Sequence, residues 1–371
     1  MTDIDRVLAL PPYAEPLPDW PIVLYGAGQL GREVLRRLRH AGVRPWCFVD
    51  NNKNLTVVDG LHVNHFDEGA FGHSIQGKGL WVPTVYNAAA IREELDRRNV
   101  RRHVPLPALL NHHGLLPLAC LDYPSRVRSH AAEIRAATDI WADEESRAEY
   151  LEQIKYRLTF APPATPKRDV SEMYWEGYRK LSDPIIRDAG EVFVDAGAFD
   201  GDTVQAFMAR WPGFREIHAF EPDRQNFDKL MQFASMSYAS RKLWMHNVAL
   251  SNHDGSISFL ASGTPGSRVG ETKETVPARK LDSVCEACDI KPTLVKLDVE
   301  NHEIPVLQGA RETIRRCRPV VVAVLYHQPT DLWRIPLLLR ELMPDGKLFL
   351  RRYADDCWEL LALLVPPERM E

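Results

Sequence analysis

Apolar residues along this chain gather in short runs that end in an acid or a glycine, and between those runs they recur at helical spacing. The first run, Ile22 to Tyr25, leads into the turn Gly26, Gly28, Gly31 and then into an amphipathic helix stopped at Gly42. A second run follows and ends at Asp50, which completes an opening strand–helix–strand unit. Further on, "LWVPTV" predicts a strand, Ala88 to Asn99 a helix and "RRHVPLP" a short strand. Beyond Asp139 the pattern changes: "DEESRAEYLEQIKYRL" predicts a charged helix and "APPATPKRD" a proline-rich interruption. After Gly190 the alternation restarts. Val192 to Val194 reads as a buried parallel strand, Thr203 to Trp211 as a helix, and strands are expected again before Glu221, at Leu294 to Leu297 and at Val320 to Tyr326. Residues 1–20, rich in proline, read as an irregular lead-in.

This order predicts an α/β protein with two Rossmann-like doubly wound domains joined by a helical linker. The expected divisions are 1–140 for a nucleotide-binding or docking domain, 141–189 for the linker and 190–371 for the second domain. The two alternating regions differ in spacing and glycine pattern, so they are not close repeats.

Composition narrows the class without naming an activity. With 371 residues, 45% hydrophobic and 26% charged, the chain can bury proper cores. Its net charge of -5 provides no global basic field, so nucleic acid is not an expected partner. The arginines Arg36, Arg37 and Arg39 read as a solvated helix face. Six scattered cysteines argue for a reducing compartment rather than a disulfide scaffold. The longest apolar runs are too short to span a bilayer and no signal peptide is visible, which makes a cytoplasmic location the expectation. A homo-oligomer is compatible with all of this.

Two glycine loops carry candidate chemistry. Gly26, Gly28 and Gly31 with Asp50 fit a dinucleotide fingerprint, in which a helix N-terminus meets pyrophosphate and the acid holds a ribose. No second mononucleotide half or proton-relay constellation follows before residue 140. A bound nucleotide or sugar nucleotide and an empty module for assembly or docking both remain open. The region resembles the Rossmann-like N-terminal domains of sugar-modifying enzymes over Gly26–Val34 and Phe48–Asn52.

The second loop is "EVFVDAGAFDGDT", Glu191 to Thr203, answered by "IHAFEPD", Ile217 to Asp223. Asp195 closes one strand and Glu221 the next, and Gly197 and Gly201 let the backbone approach a ligand at the sheet's carboxyl edge. Such a pair of acids suits a positively charged adenosine cofactor, with Glu221 on the ribose hydroxyls. Asp298 ends a further strand and should reach the same crevice. Asp298, Glu300, His302 and His327 are candidates for the base that takes a proton from an acceptor, His327 being set at a strand's carboxyl end.

Five ordered blocks extend this reading: Asp195, Gly197, Ala198, Gly201, Asp202 and Thr203; Glu221, Pro222 and Asp223; "NVALSNHDG" from Asn247; "TLVKLDVENHEIPVLQGA" from Thr293; and "RPVVVAVLYHQPTDLW" from Arg318. Over roughly residues 190–355 the chain resembles the FkbM-type S-adenosylmethionine-dependent methyltransferases. The resemblance implies a class I methyltransferase fold. It implies S-adenosylmethionine as cofactor, held by Asp195, Gly197, Ala198, Gly201, Thr203, Glu221, Pro222, Asn247 and Asp298, while the strand-end positions make His327 and Asp298 the expected catalytic residues. Asn301 and His302 depart from the family's usual glycine and small residue, and a glycine there would permit a positive φ that asparagine tolerates less well.

The expected reaction is O-methylation of a sugar, sugar nucleotide, glycan or related metabolite. The alternatives are an NAD(P)-dependent oxidoreductase or epimerase using the N-terminal loop, and a non-catalytic assembly module. No metal-ligand spacing is evident, so metal-independent transfer is expected. Cys285 and Cys288 lie in a predicted helix, and His112 and His113 read as a cap. Trp141, Tyr150, Tyr156, Tyr174, Trp175 and Tyr178 read as packing, with stacking of an acceptor as the alternative.

Overall fold

A computed structural model describes residues 1–13, 15–66, 78–100, 102–174, 190–237, 239–264 and 266–370. Trp175 and Tyr178 lie outside the described residues, as does the end of the expected linker. The chain divides into two compact units, Met1–Ala132 with Ala148–Arg168 and Arg352–Glu359, and Glu133–Arg147 with Asp169–Arg351 and Leu360–Glu371. The boundaries expected from sequence describe continuous segments, whereas both units are discontinuous, because periodicity marks elements and not their partners.

The first unit is built on a five-stranded sheet of order β3-β4-β2-β1-β5, with β1 Ile22–Tyr25, β2 Cys47–Val49, β3 Val57–Val58, β4 Leu61–Asn64 and β5 Leu80–Pro83. β1 runs parallel to both β2 and β5, and β3 folds back antiparallel on β4. Val23, Tyr25, Cys47, Val49 and Trp81 bury one core between the sheet and the helix Ala88–Arg97. The apolar stripe of the helix Gln29–His40 (Leu30, Val34, Leu35, Leu38) is buried, while Arg36 and Arg39 are exposed. Arg37 instead donates to the carbonyls of Leu115 and Pro117.

Two local expectations change. The lead-in contains a helix, Asp3–Leu8, started by a reciprocal cap between Thr2 and Asp5. In "RRHVPLP" only a single bridge, His103 to Trp81, is described, because the prolines there begin the helix Leu106–His112 instead of extending a ladder.

The second unit holds a seven-stranded sheet of order β15-β16-β14-β13-β6-β7-β8. Its strands are β6 Val192–Ala196, β7 Glu216–Phe220, β8 Leu243–His246, β13 Leu294–Leu297, β14 Val320–Val324, β15 Lys347–Arg352 and β16 Leu360–Val365. From β8 through β14 neighbours are parallel, and β16 runs antiparallel to β14. The chain leaves β6 in one direction to β7 and β8 and returns on the other side at β13. That reversal is a topological switch point, the place where parallel sheets open a crevice at their carboxyl ends.

Between β8 and β13 lies a small four-stranded sheet, order β11-β10-β12-β9, formed by β9 Ala249–Leu250, β10 Gly255–Leu260, β11 Arg268–Val269 and β12 Thr275–Arg279. No periodicity along the chain predicts it: its residues are mostly exposed or half-exposed, so the alternation that marks a buried strand is weak.

Candidate active site

At the switch point four strand ends are laced together by their backbones. Gly197 and Ala198 donate to the carbonyl of Phe220, Asp298 donates to that of Ala196, and Glu221 donates to that of His246. The carboxyl ends of β6, β7, β8 and β13 therefore form one edge. Gly197 adopts φ +81°, and a Cβ added to it would overlap the Asp298 carbonyl oxygen. Only glycine permits both the conformation and the approach of the two loops.

Asp195 is completely buried, and parallel register sets it beside Lys296 on β13. Lys296 Nζ donates to Asp195 Oδ1 at 3.0 Å and to the Gly197 carbonyl at 2.9 Å, while Asp195 Oδ2 has no hydrogen-bond partner among the described residues. Burial raises the Asp195 carboxyl to about 6 against the pull of Lys296. Lys296 was not singled out in the sequence, although a lysine inside the apolar run "LVKL" is itself a signal, since a buried ammonium requires a partner.

Glu221 braces the loop after β6: its carboxylate accepts from the backbone N–H of Phe199 at 3.0 Å and of Asp223 at 2.8 Å. Burial pushes its carboxyl up to about 7, with those two amides opposing. Asn247 donates to the carbonyls of Glu221 and Pro222, so its role here is to fix the segment after β7. Asp223 caps the helix Arg224–Met236 and also accepts from Ser262, Gly263 and Ser267, tying a loop of the small sheet to this edge. Gly201 precedes the helix Asp202–Arg210, whose Thr203 is buried.

The residues after β13 and β14 meet in a second cluster. His327 Nε2 lies 3.6 Å from Asp298 Oδ1 and 3.6 Å from Glu300 Oε1, and His327 Nδ1 is hydrogen-bonded to Glu303 at 2.7 Å. Tyr174, read from sequence as packing, donates its hydroxyl to Asp298 Oδ2 at 2.7 Å. Glu300 and Asn301 take φ of 51° and 77°, so the position where the family carries glycine does demand a left-handed backbone, here met by asparagine. His302 faces Ser251 at 3.0 Å.

Electrostatics separates the candidates for the base. Burial alone would lower the His327 imidazole, but Glu303, then Asp298 and Glu300, raise it to about 10. An imidazolium cannot accept a proton, so the geometry departs from the expectation of a free histidine base near neutral pH. Burial pushes the Glu300 carboxyl up to about 7. Asp298, Glu300 and His327 each offer one ligand atom, and these atoms lie within 4.8 Å of one another. No sequence spacing announced this group, because His327 reaches it from a different strand.

The N-terminal loop is folded as its glycine spacing requires: a Cβ at Gly31 would overlap the Gly26 carbonyl, and one at Gly28 would meet nothing. Asp50 is engaged by its own loop, accepting from Ala27 N–H and Asn52 N–H at 2.8 Å each. Both oxygens of the expected ribose clamp thus already have partners. The cysteines Cys285 and Cys288 fall on and just after the helix Leu281–Ala287, and His113 caps the helix Leu106–His112. Among the described residues no helix is long and apolar enough to cross a membrane.

Residues 195–353 match the family described as Methyltransferase FkbM domain. A stretch of 137 residues is 29% identical to the hexuronic acid methyltransferase AglP of Haloferax volcanii, covering 36% of this chain and 54% of that relative. The chain thus spans about half the length of the curated relative it matches. The crystal structure of methyltransferase FkbM from Methylobacillus flagellatus KT superposes with a TM-score of 0.73 at 18% identity, covering 98% of this chain and 93% of that one. At that identity the likeness establishes the α/β fold.

Proposed function

We propose that this chain, which carries a methyltransferase FkbM domain over residues 195–353, transfers the methyl group of S-adenosylmethionine to a hydroxyl of a sugar, sugar nucleotide or glycan. The observation that carries the reading is the crevice edge where Gly197, Glu221 and Asp298 converge at the switch point. The residues there fit the cofactor: Asp195 keeps one buried carboxylate oxygen unpartnered among the described residues, and Gly197 leaves the backbone bare where a Cβ would fill the space. S-adenosylmethionine supplies, when bound, a methyl group on a positively charged sulfur.

Glu221 would accept the ribose hydroxyls, since a carboxylate has lone pairs beyond the two that hold Phe199 and Asp223. Asp195 and Asp298 add negative charge that favours a cationic ligand, and Lys296 keeps Asp195 ionised. Asp298, Glu300 and His327 face the acceptor side, where His327 positions the hydroxyl and a neighbouring carboxylate takes its proton. Orientation of the two reactants supplies most of the rate in such a displacement. A sugar acceptor is supported by the relative that acts on hexuronic acid.

Calorimetric titration of the full chain with S-adenosylmethionine tests the reading. Saturable binding lost in Glu221→Ala is expected, and full affinity in that variant would overturn it. For the N-terminal loop we propose a nucleotide or sugar nucleotide as ligand, supported by the open face at Gly28. Binding of a nucleotide sugar that survives Gly28→Val would refute that assignment.

A further inference from the structure

We propose that Asp298, Glu300 and His327 form a binding site for a divalent cation of the Mn2+ type, placed to hold oxygens of the methyl acceptor. The role assigned to the cation rests on the methyl-transfer reading; the binding site does not.

Three atoms converge without bonding one another. Asp298 Oδ1 and Glu300 Oε1 each stand 3.6 Å from His327 Nε2, longer than a hydrogen bond, and all three ligand atoms fit within 4.8 Å. A central cation would take the place of the proton that these carboxylates otherwise hold on His327 Nε2, so metal binding releases that proton. The opposite edges of two ligands are held from behind. Glu303, 1% exposed, fixes His327 Nδ1 at 2.7 Å and also accepts from Val299 N–H, while the Tyr174 hydroxyl holds Asp298 Oδ2. A carboxylate behind a histidine is the arrangement that orients an imidazole toward a metal and strengthens it as a donor. His327 is itself only 8% exposed, with Nε2 aimed into the trio. Such a buried nitrogen between two carboxylates is explained by a ligand that pairs with all three.

One imidazole nitrogen and two carboxylate oxygens suit an octahedral first-row cation such as Mn2+ better than a thiolate-preferring one. Three protein ligands leave three positions open. An acceptor hydroxyl bound at one of them would be more acidic and, with Asp298 and Glu300 engaged by the ion, would lose its proton to solvent water instead of to a carboxylate. Its oxygen then forms the new bond to the methyl carbon as the carbon–sulfur bond breaks, and the sulfonium leaves as a neutral thioether.

The test is titration of the full chain with Mn2+, followed by the electron paramagnetic resonance of the free ion, with no cofactor or acceptor present. One saturable site is expected. Glu300→Gln and His327→Ala should weaken it at least about tenfold, and Glu303→Gln about 10–100-fold through loss of orientation. Thermal unfolding without metal identifies variants that fail to fold. Glu300 is the most exposed of the three ligands, so Glu300→Gln keeps the test decisive if others do fail. Absence of saturable Mn2+ binding to the wild type, or equal affinity in wild type and Glu300→Gln, would overturn the site. Mn2+ binding with no methyl transfer to any acceptor would instead count against the methyl-transfer reading and leave the site standing.

Discussion

Lys296 and Asp195 form an ion pair at 3.0 Å inside the second unit, with side chains 3% and 0% exposed, on adjacent parallel strands. The pair sits two residues before Gly197 on one strand and two before Asp298 on the other. It therefore links the stability of the sheet to the electrostatics of the crevice proposed to hold the cofactor.

Removing one member should expose that linkage. Lys296→Met leaves a buried carboxylate unpaired and is expected to cost about 3–5 kcal/mol in denaturant unfolding. The double variant Asp195→Asn, Lys296→Met should recover much of that loss yet bind S-adenosylmethionine weakly. A single variant as stable as the wild type would show that the pair contributes nothing.

Glu221 supplies a pH dependence of binding. Its carboxyl is raised to about 7, so it is protonated at mildly acid pH and ionised above. Ribose hydroxyls need the ionised acceptor, so affinity for S-adenosylmethionine should fall by up to about tenfold per pH unit below 7 and level off above it. Asp195, at about 6, adds a second step lower down. For stability the sign is opposite: a raised carboxyl favours the fold while protonated, and that contribution is lost as pH rises from the unfolded value near 4.5 through about 7. Glu221→Gln should remove the step near 7 from both curves, measured by calorimetry and by unfolding across pH.

Gly197 and Gly28 should respond in opposite ways to alanine. At Gly197 the added carbon collides with the Asp298 backbone in a left-handed conformation, and a loss of about 2–5 kcal/mol is expected from strain and overpacking. At Gly28 it meets open space with φ at -74°, and stability should stay within about 0.5 kcal/mol. Thermal melts of the two variants decide this directly.

His327 should matter to turnover more than to cofactor binding. His327→Gln is expected to lower kcat by about 10²-fold with the affinity for S-adenosylmethionine unchanged, since the proposed reading puts the residue on the acceptor side as a positioning group. A loss of cofactor affinity with kcat preserved would place it elsewhere.

Much of this architecture is legible before any coordinates. The apolar runs at Val192, Ile217, Leu294 and Val320 all became strands of one sheet, and their terminal acids Asp195, Glu221 and Asp298 all lie at or next to its carboxyl edge. A buried parallel strand must be apolar throughout and its polar residues can appear only where it ends, so composition alone marks the edge. The small sheet from β9 to β12 escaped because half-exposed strands carry no such contrast.

The sequence by itself determined which residues stand at strand ends and which turns need glycine, because those follow from local burial and backbone freedom. Only the tertiary structure decided that Lys296 pairs with Asp195, that Asp50 and Glu221 brace their own loops, that Glu303 holds His327, and that Asp298, Glu300 and His327 converge. These relationships depend on strand order and register, which bring residues far apart in the chain to hydrogen-bonding distance, and periodicity along one strand carries no information about the neighbour it will meet.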